Sequence, residues 1–256
     1  MIQADDLVGK VAIVTGSSSG IGRELAVALA QQGMRVVVNA RAQERLEDVT
    51  DEIKHHGGEV LAVEAHLADP DAVDHLVART VGTFGGIDVL VNNAGGTFNA
   101  RPEDISPNGW RTVIDTNLTS AFLMSRAAFP HLKERAPSII VNIGSIAGAE
   151  PGPGHVHYSV AKAGVHHMTK VLAYEWGSHG IRVNCIAPGV IETPKSAFAG
   201  DEEKKQTWIR RVPLRSLGRP RDIVGTTILL ASEASAYLNG TIIRIDGGPR
   251  SGTAFE

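Results

Sequence analysis

The chain is poor in the features that would mark a secreted, membrane-spanning or nucleic-acid-binding protein. Cysteine occurs once, as Cys185, so no internal disulfide is available. A lone cysteine in the apolar run Val183-Asn-Cys-Ile-Ala187 reads as a small buried residue in a reducing compartment. The amino terminus, Met1-Ile-Gln-Ala-Asp-Asp6, has no basic stretch followed by an apolar one, and no apolar run approaches the roughly 20 residues that cross a bilayer. The expected location is the cytoplasm, with no membrane partner. Charge of one sign is missing too: 25 Lys and Arg against 28 Asp and Glu leave a formal net charge of −3 and no basic field for nucleic acid. His155, His157, His166 and His167 lack both the His-Glu-x-x-His spacing and a supporting Cys/Glu cluster, so no metal site is expected and these imidazoles read as packed or solvated. No Pro/Ser-rich linker, charge block or repeat divides the 256 residues, which predicts a single domain over 1–256 that handles a small molecule.

What is present is an alternation. Val11-Ala-Ile-Val-Thr15 is a short β-branched run that passes through Gly16-Ser-Ser-Ser-Gly20-Ile-Gly22 into Arg23–Ala30, which predicts a buried parallel strand, a glycine loop and a helix. Such a loop lets backbone approach a pyrophosphate, and the free N–H groups and partial positive charge of the helix N-terminus hold it. Gly16, Ser18, Ser19, Gly20, Ile21 and Gly22 are therefore candidate cofactor-binding positions. Gly33 closes that helix, and a second strand over 34–38 ends in Asn39-Ala40-Arg41, where a dinucleotide-binding unit selects its ribose. A carboxylate at this turn would accept from the 2′-hydroxyl of NAD, whereas the Arg41 guanidinium suits the 2′-phosphate of NADP. The expected cofactor is NADP(H), with Asn39 and Arg41 at its ribose.

Further helical patterns over 41–55, 69–83, 107–135, 157–177 and 220–231 alternate with strand patterns over 59–65, 88–92, 138–143, 181–186 and 241–245. A weakly amphipathic region, 195–211, carries Phe198 and Trp208. The alternation predicts an α/β fold, a Rossmann-like doubly wound parallel sheet with helices on both faces and right-handed crossovers. Asn92-Asn-Ala-Gly95, Gly144-Ser145 and Pro188-Gly-Val-Ile-Glu-Thr193 all follow strands, at the carboxyl edge where open α/β sheets bind ligands. On the helix over 157–177, Tyr158 and Lys162 stand four apart and share a face. A phenol with an ordinary pKa of about 10 exchanges protons poorly at neutral pH, and the nearby ammonium is expected to lower it. The pair then suits proton exchange with a carbonyl oxygen.

Taken in order, Thr15-Gly-x-x-x-Gly-x-Gly22, Asn92-Asn-Ala-Gly95, Asn117, Ser145, Tyr158-x-x-x-Lys162 and Pro188-Gly189 with Thr193 make a set that resembles the short-chain dehydrogenase/reductase superfamily, in its ketoreductase form similar to 3-oxoacyl-carrier-protein reductases. The resemblance covers nearly the whole chain and implies a seven-stranded sheet. It implies that Ser145 holds the substrate oxygen, Tyr158 exchanges the proton, Lys162 binds the nicotinamide ribose and tunes the tyrosine, and Asn117 anchors a water in a relay to the lysine. Asn93, Ala94 and Gly95 would lie along the adenosine ribose. Pro188, Gly189, Ile191 and Thr193 would form the segment whose threonine fixes the carboxamide. His66 stands where members commonly carry an adenine-contacting Asp, leaving the backbone of Leu67 for that contact. The resemblance also implies a homotetramer paired through helices 107–135 and 157–176, whose Phe122, Met124 and Val171 exceed what one sheet face should cover. The expected substrate is a carbonyl or secondary alcohol, such as a 3-oxoacyl thioester, sugar or steroid, walled by 96–98, 150–156 and 195–211. Two alternatives stand beside it. Asn92–Phe98 and Ala173–Gly177 resemble segments of enoyl and dienoyl thioester reductases, and a catalytically silent cofactor-binding regulator would be marked by loss of the Tyr or Lys that this chain retains.

Overall fold

Val, Ile and Leu fill the central strands because these are covered on both sides, which leaves little of either face to solvent. The computed structural model describes residues 4–194, 196 and 198–248. Its strands are β1 (Val11–Val14), β2 (Arg35–Ala40), β3 (Val60–Glu64), β4 (Val89–Asn92), β5 (Ser138–Ile143), β6 (Ile181–Pro188) and β7 (Ile242–Ile245). They form one parallel sheet of seven in the order β3-β2-β1-β4-β5-β6-β7. Every residue of β1, β4 and β5 is buried.

The helices are α1 (Gly20–Gln31), α2 (Glu47–His55), α3 (Pro70–Phe84), α4 (Pro107–Ile114), α5 (Ser120–Glu134), α6 (Val156–Trp176), α7 (Glu202–Arg211) and α8 (Arg221–Ala231). The period of two in β1 divides the core: Ala12 and Val14 pack with α1, α2 and α8, and Ile13 packs with α3, α5 and α6. A buried amide ladder crosses the second face. Asn92 Nδ2 of β4 donates to Ser125 Oγ (3.0 Å) and to Asn142 Oδ1 of β5 (2.9 Å), and Asn142 Nδ2 donates to Thr169 Oγ1 of α6 (2.9 Å). Asn92 Oδ1 alone of this ladder has no partner among the described residues, and the remaining bonds pin α5 and α6 in register against the central strands.

Two expectations are corrected, and the region 195–211 gains a defined helix. The helix over 107–135 is interrupted by a π-helical turn at Asp115–Thr119. There Asn117 Nδ2 donates to Val113 O (2.8 Å) and to Gly96 O (2.7 Å), and the hydroxyls of Thr116 and Ser120 bond to carbonyls one turn back, so side chains compete with the backbone ladder. The helix expected from 41 starts later, with a 3-10 turn at Gln43–Leu46 before α2, because Ala42 is extended (φ −148°, ψ 134°). Arg41 is thus a loop residue at the sheet edge. In the region 195–211 only Glu202–Arg211 is α-helical, capped by Asp201 Oδ1 accepting from Lys204 N at 3.0 Å, while Lys195 and Ala197 lie outside the described residues. Among the described residues no helix is long and apolar enough to cross a membrane.

Candidate active site

The strand order reverses between β1 and β4, since the chain builds β2 and β3 on one side and then returns to start β4 on the other. The two loops that leave β1 and β4 diverge there, opening a crevice at the carboxyl edge. A cleft of about 460 Å³ occupies it. Its floor is the glycine loop. Gly16 is left-handed (φ +63°), and a Cβ on it would stand 2.9 Å from Ala94 Cα, so only glycine lets the loops from β1 and β4 touch. Thr15 Oγ1 fixes that contact by accepting from Asn93 N (2.9 Å) and Ala94 N (3.0 Å), while Asn93 Nδ2 donates to Thr15 O (2.9 Å). The N-cap of α1, Ser19, forms no side-chain cap, which leaves the first N–H groups of a 12-residue helix facing the cleft. A glycine cradle beneath an uncapped helix N-terminus is the donor set that a dinucleotide pyrophosphate requires, and these residues fit one.

The expected cofactor positions divide into walls and supports. Gly16, Ser18, Ser19, Gly20, Ile21, Asn39, Arg41, Leu67, Asn93, Ala94, Gly95 and Thr193 line the cleft. Gly22 does not: a Cβ there would fall 2.3 Å from Asn93 Nδ2 and 2.5 Å from Gly16 O, so this glycine serves the packing of α1 on the loop. Pro188 ends β6 and is buried, a Cβ on Gly189 would stand 2.7 Å from Asp246 Cα, and Ile191 bridges to Gly218, so these three shape the approach to Thr193. Asn39 shows little of itself to a ligand. Its Nδ2 is committed to Val63 O (3.1 Å) and Ala65 O (3.2 Å), and it acts chiefly as the tie between β2, β3 and the glycine loop. The wall beside Arg41 includes His66 and a residue that sequence reasoning passed over, Arg45. Its signal was a second cation one turn beyond Arg41, in the segment following the ribose-selecting turn.

The four expected catalytic residues come from three places in the fold, and none of them is among the residues lining the cleft. Ser145 follows β5 and opens a 3-10 turn, Ile146–Gly148, its Oγ accepting from Ala147 N at 3.2 Å. Tyr158 and Lys162 lie one turn apart on α6, the ammonium 5.6 Å from the phenol ring centre. Lys162 is buried and donates to Ile143 O at 2.8 Å. Asn117, on the π-helical turn, exchanges hydrogen bonds with the backbone of Gly96 (Oδ1 from N, 3.2 Å; Nδ2 to O, 2.7 Å). Gly95 joins the two groups, since a Cβ on it would stand 2.7 Å from Asn117 Oδ1 and 3.6 Å from Lys162 Nζ. The rims of the site are laced together as well. Ala100 N donates to Gly154 O at 3.1 Å, and Phe98 packs edge-on against His157 at 4.5 Å, burying that imidazole fully.

Electrostatics in the free protein differ from the expectation for the pair. Burial lowers Lys162 to about 8, only partly offset by the Cys185 sulfur. Burial raises the Tyr158 phenol above its ordinary value, against a hydrogen bond with Ser145 that lowers it. Proximity to the ammonium therefore does not make Tyr158 acidic by itself. Desolvation, the larger effect on each group, outweighs the opposing influences of Ser145 on the phenol and of Cys185 on the ammonium. Tyr158 is thus a protonated donor, poised beside Ser145.

Comparison with known proteins places the chain among relatives of near-equal length. A family model described as enoyl-(acyl carrier protein) reductase matches residues 16–249. A 3-oxoacyl-[acyl-carrier-protein] reductase of Synechocystis sp. is 41% identical over 94% of this chain and 97% of its own. Glucose 1-dehydrogenase 2 of Bacillus subtilis is 38% identical over 95% of each. Among solved structures, a short-chain type dehydrogenase/reductase from Mycobacterium marinum superposes with a TM-score of 0.90 at 36% identity, over 96% of this chain and 97% of that one.

The buried ammonium has a measurable cost. A lysine held near 8 instead of 10.5 destabilises the fold at neutral pH by about 3 kcal/mol. The unfolded chain binds the extra proton between the two values, so this cost is fully present below 8 and fades as pH rises toward 10.5. Lys162→Met is expected to raise the thermal midpoint of the free protein by ~5 °C at pH 7, with the gain shrinking by pH 10. Thermal unfolding of both proteins across that range checks it, and a variant no more stable than the wild type at pH 7 would contradict it.

Proposed function

We propose that this chain, which belongs to the short-chain dehydrogenase/reductase family, moves a hydride between NADP(H) and a ketone or secondary alcohol. The observation that carries this reading is the meeting of Ser145, Tyr158 and Lys162, from two elements, behind Gly95, which lines the cleft and whose missing Cβ would stand 3.6 Å from Lys162 Nζ. The nicotinamide, when bound, supplies or accepts the hydride. The remaining work falls to the chain. Ser145 and Tyr158, hydrogen-bonded to each other in the free protein, offer two hydroxyls to a carbonyl oxygen and polarise it. As negative charge develops on that oxygen, Tyr158 gives up its phenolic proton. Lys162, one turn away, stabilises the phenolate that this leaves, and Asn117, joined to it through Gly95, connects the lysine toward the cleft.

For the cofactor, two guanidinium side chains, Arg41 and Arg45, line the wall beyond the glycine loop. Guanidinium groups recognise a phosphate in bidentate fashion, which supports the 2′-phosphate of NADP(H). For the substrate, relatives named for glucose and for an acyl-carrier-protein thioester stand at 38% and 41% identity. That nearness supports the common chemistry, a carbonyl and its alcohol, more than either substrate. The enoyl reduction that gives the family model its description delivers its proton to carbon, whereas a phenol hydrogen-bonded to a serine is arranged to serve an oxygen. A silent cofactor-binding regulator would have no need of a desolvated lysine that costs stability. Cys185 is buried and free, in keeping with a cytoplasmic setting.

The exposed face of α4, α5 and α6 supports self-association. Phe122, Val160, Val171 and Tyr174 stand 45%, 45%, 39% and 91% exposed, whereas Met124, expected to share that face, is fully buried against the sheet. An apolar face of this kind on paired helices fits a two-fold interface, and the reading is a homotetramer.

Three outcomes test these statements. Tyr158→Phe removes only the hydroxyl and is expected to leave NADPH binding nearly intact while turnover on an accepted ketone falls about 100-fold or more; near-normal turnover, or reduction of enoyl thioesters with every ketone refused, contradicts the assignment. Arg41→Ala and Arg45→Ala should each weaken NADPH more than NADH in fluorescence titrations, and equal losses for both cofactors would remove the 2′-phosphate argument. Light scattering at micromolar concentration should return a mass near four chains, and a monomer would dismiss the interface.

A further inference from the structure

Ser145 is flanked by two glycines, and both yield their space to one side chain. A Cβ on Gly144 would stand 2.7 Å from His166 Nε2, and a Cβ on Gly148 would stand 2.7 Å from His166 Cε1. The imidazole is therefore wedged into the slot behind the Ser145 turn, on the side away from the cleft. His166 Nε2 is sealed from solvent and has no hydrogen-bond partner, while the ring makes a backbone hydrogen bond with Ser145. Lys162 lies one helical turn before His166 on α6, and its own carbonyl carbon and oxygen come within 2.8 Å of the same missing Gly148 Cβ. The ring thus touches the turn that carries the serine and the segment that carries the lysine.

We propose that His166 is the positioning residue of the Ser145 turn: as a neutral imidazole it wedges Gly144 and Gly148 apart to hold the serine hydroxyl in place, and its protonation unseats that turn. This inference rests on the reading of Ser145 and Tyr158 as the carbonyl-binding pair.

The chemistry of the slot supports a neutral ring. The charged groups facing it are Lys162 and Lys170, both on its own helix and both cationic. From β6 comes Cys185, whose Sγ meets the same Gly144 Cβ position at 2.7 Å and whose thiol is raised by burial to about 11, so it brings no counter-charge. The Ser145 turn contributes only backbone. Burial, then Lys162, then Lys170 hold the imidazole below its ordinary 6.5. A proton on Nε2 would create a donor with no acceptor in a sealed site beside a buried ammonium. The cheapest relief is for the Ser145 turn to move, since it is a short 3-10 segment held by local bonds alone: Gly148 N to Ser145 O and Ala149 N to Ile146 O, both 3.0 Å, Glu150 N to Ile146 O at 2.8 Å and Ala147 N to Ser145 Oγ at 3.2 Å. As the ring's pKa lies below 6.5, this loss begins on the acid side of that value.

Two variants and two readouts test it on the full-length enzyme. His166→Leu fills the slot without a hydrogen bond and should lower kcat on an accepted ketone ~10-fold at pH 7.5, with KM for NADPH unchanged. His166→Gln keeps an amide donor and acceptor that does not titrate. It should recover most of that loss and abolish the fall in turnover expected of the wild type on the acid side of 6.5. Independently of any substrate, hydrogen exchange at the Gly148 and Ala147 amides should quicken in the wild type below that pH relative to H166Q measured at the same pH. If no ketone is accepted, the functional reading fails while the exchange comparison still decides the positioning role. An acid limb unchanged in H166Q, or amide exchange at Gly148 that is the same in both proteins at every pH, overturns the proposal.

Discussion

An ammonium group taken out of water must be given acceptors, and the burial of Lys162 sets the terms for everything at the carboxyl edge of the sheet. Its acceptor among the described residues, Ile143 O, is the last carbonyl of β5, so holding the lysine requires α6 to lie against that strand. The amide ladder from Asn92 through Asn142 to Thr169 supplies that docking with groups that would themselves be costly if unpaired. The same docking carries Tyr158 to Ser145 and His166 to the slot behind it. The lysine is thus a destabilising element retained within a stabilising frame, which is the arrangement expected when a site is built for reactivity.

The cleft has a different origin, in topology. A parallel sheet wound outward in both directions from β1 and β4 leaves their two following loops with nothing between them. Here those loops approach so closely that Gly16 meets Ala94, and Thr15 ties them with one hydroxyl. The result is a rigid floor under an uncapped helix. Around it the walls are supplied by segments distant in the chain: Arg41 and Arg45 beyond β2, His66 and Leu67 beyond β3, and Thr193 beyond β6. The candidate catalytic groups and the cleft meet through Gly95, whose missing side chain leaves room for both Asn117 and Lys162.

How much of this was legible depends on the range over which each feature is decided. The glycine loop, the Tyr158 and Lys162 pair and the turn at Arg41 are local, and their spacing alone carries their geometry. Arg45 needed one more turn of chain, and the extended Ala42 that frees Arg41 from the helix left no periodic signal. The π-helical turn at Asn117 was hidden because it comes from side chains of α4 and α5 competing for carbonyls and from the backbone of Gly96, some twenty residues away. Met124 and Phe122 are two apart on one helix and share the same composition signal, yet one faces the sheet and the other faces out.

By itself the sequence determined the alternation of elements, the parallel sheet and the glycine loop between its first strand and helix, because period, punctuation and spacing act between near neighbours. Tertiary structure alone decided which groups would be dry. Lys162 lies at about 8, Tyr158 is raised and the His166 ring sits between two glycines because β5, β6 and α6 close over them. Desolvation is a property of the packed assembly and has no local pattern in the chain.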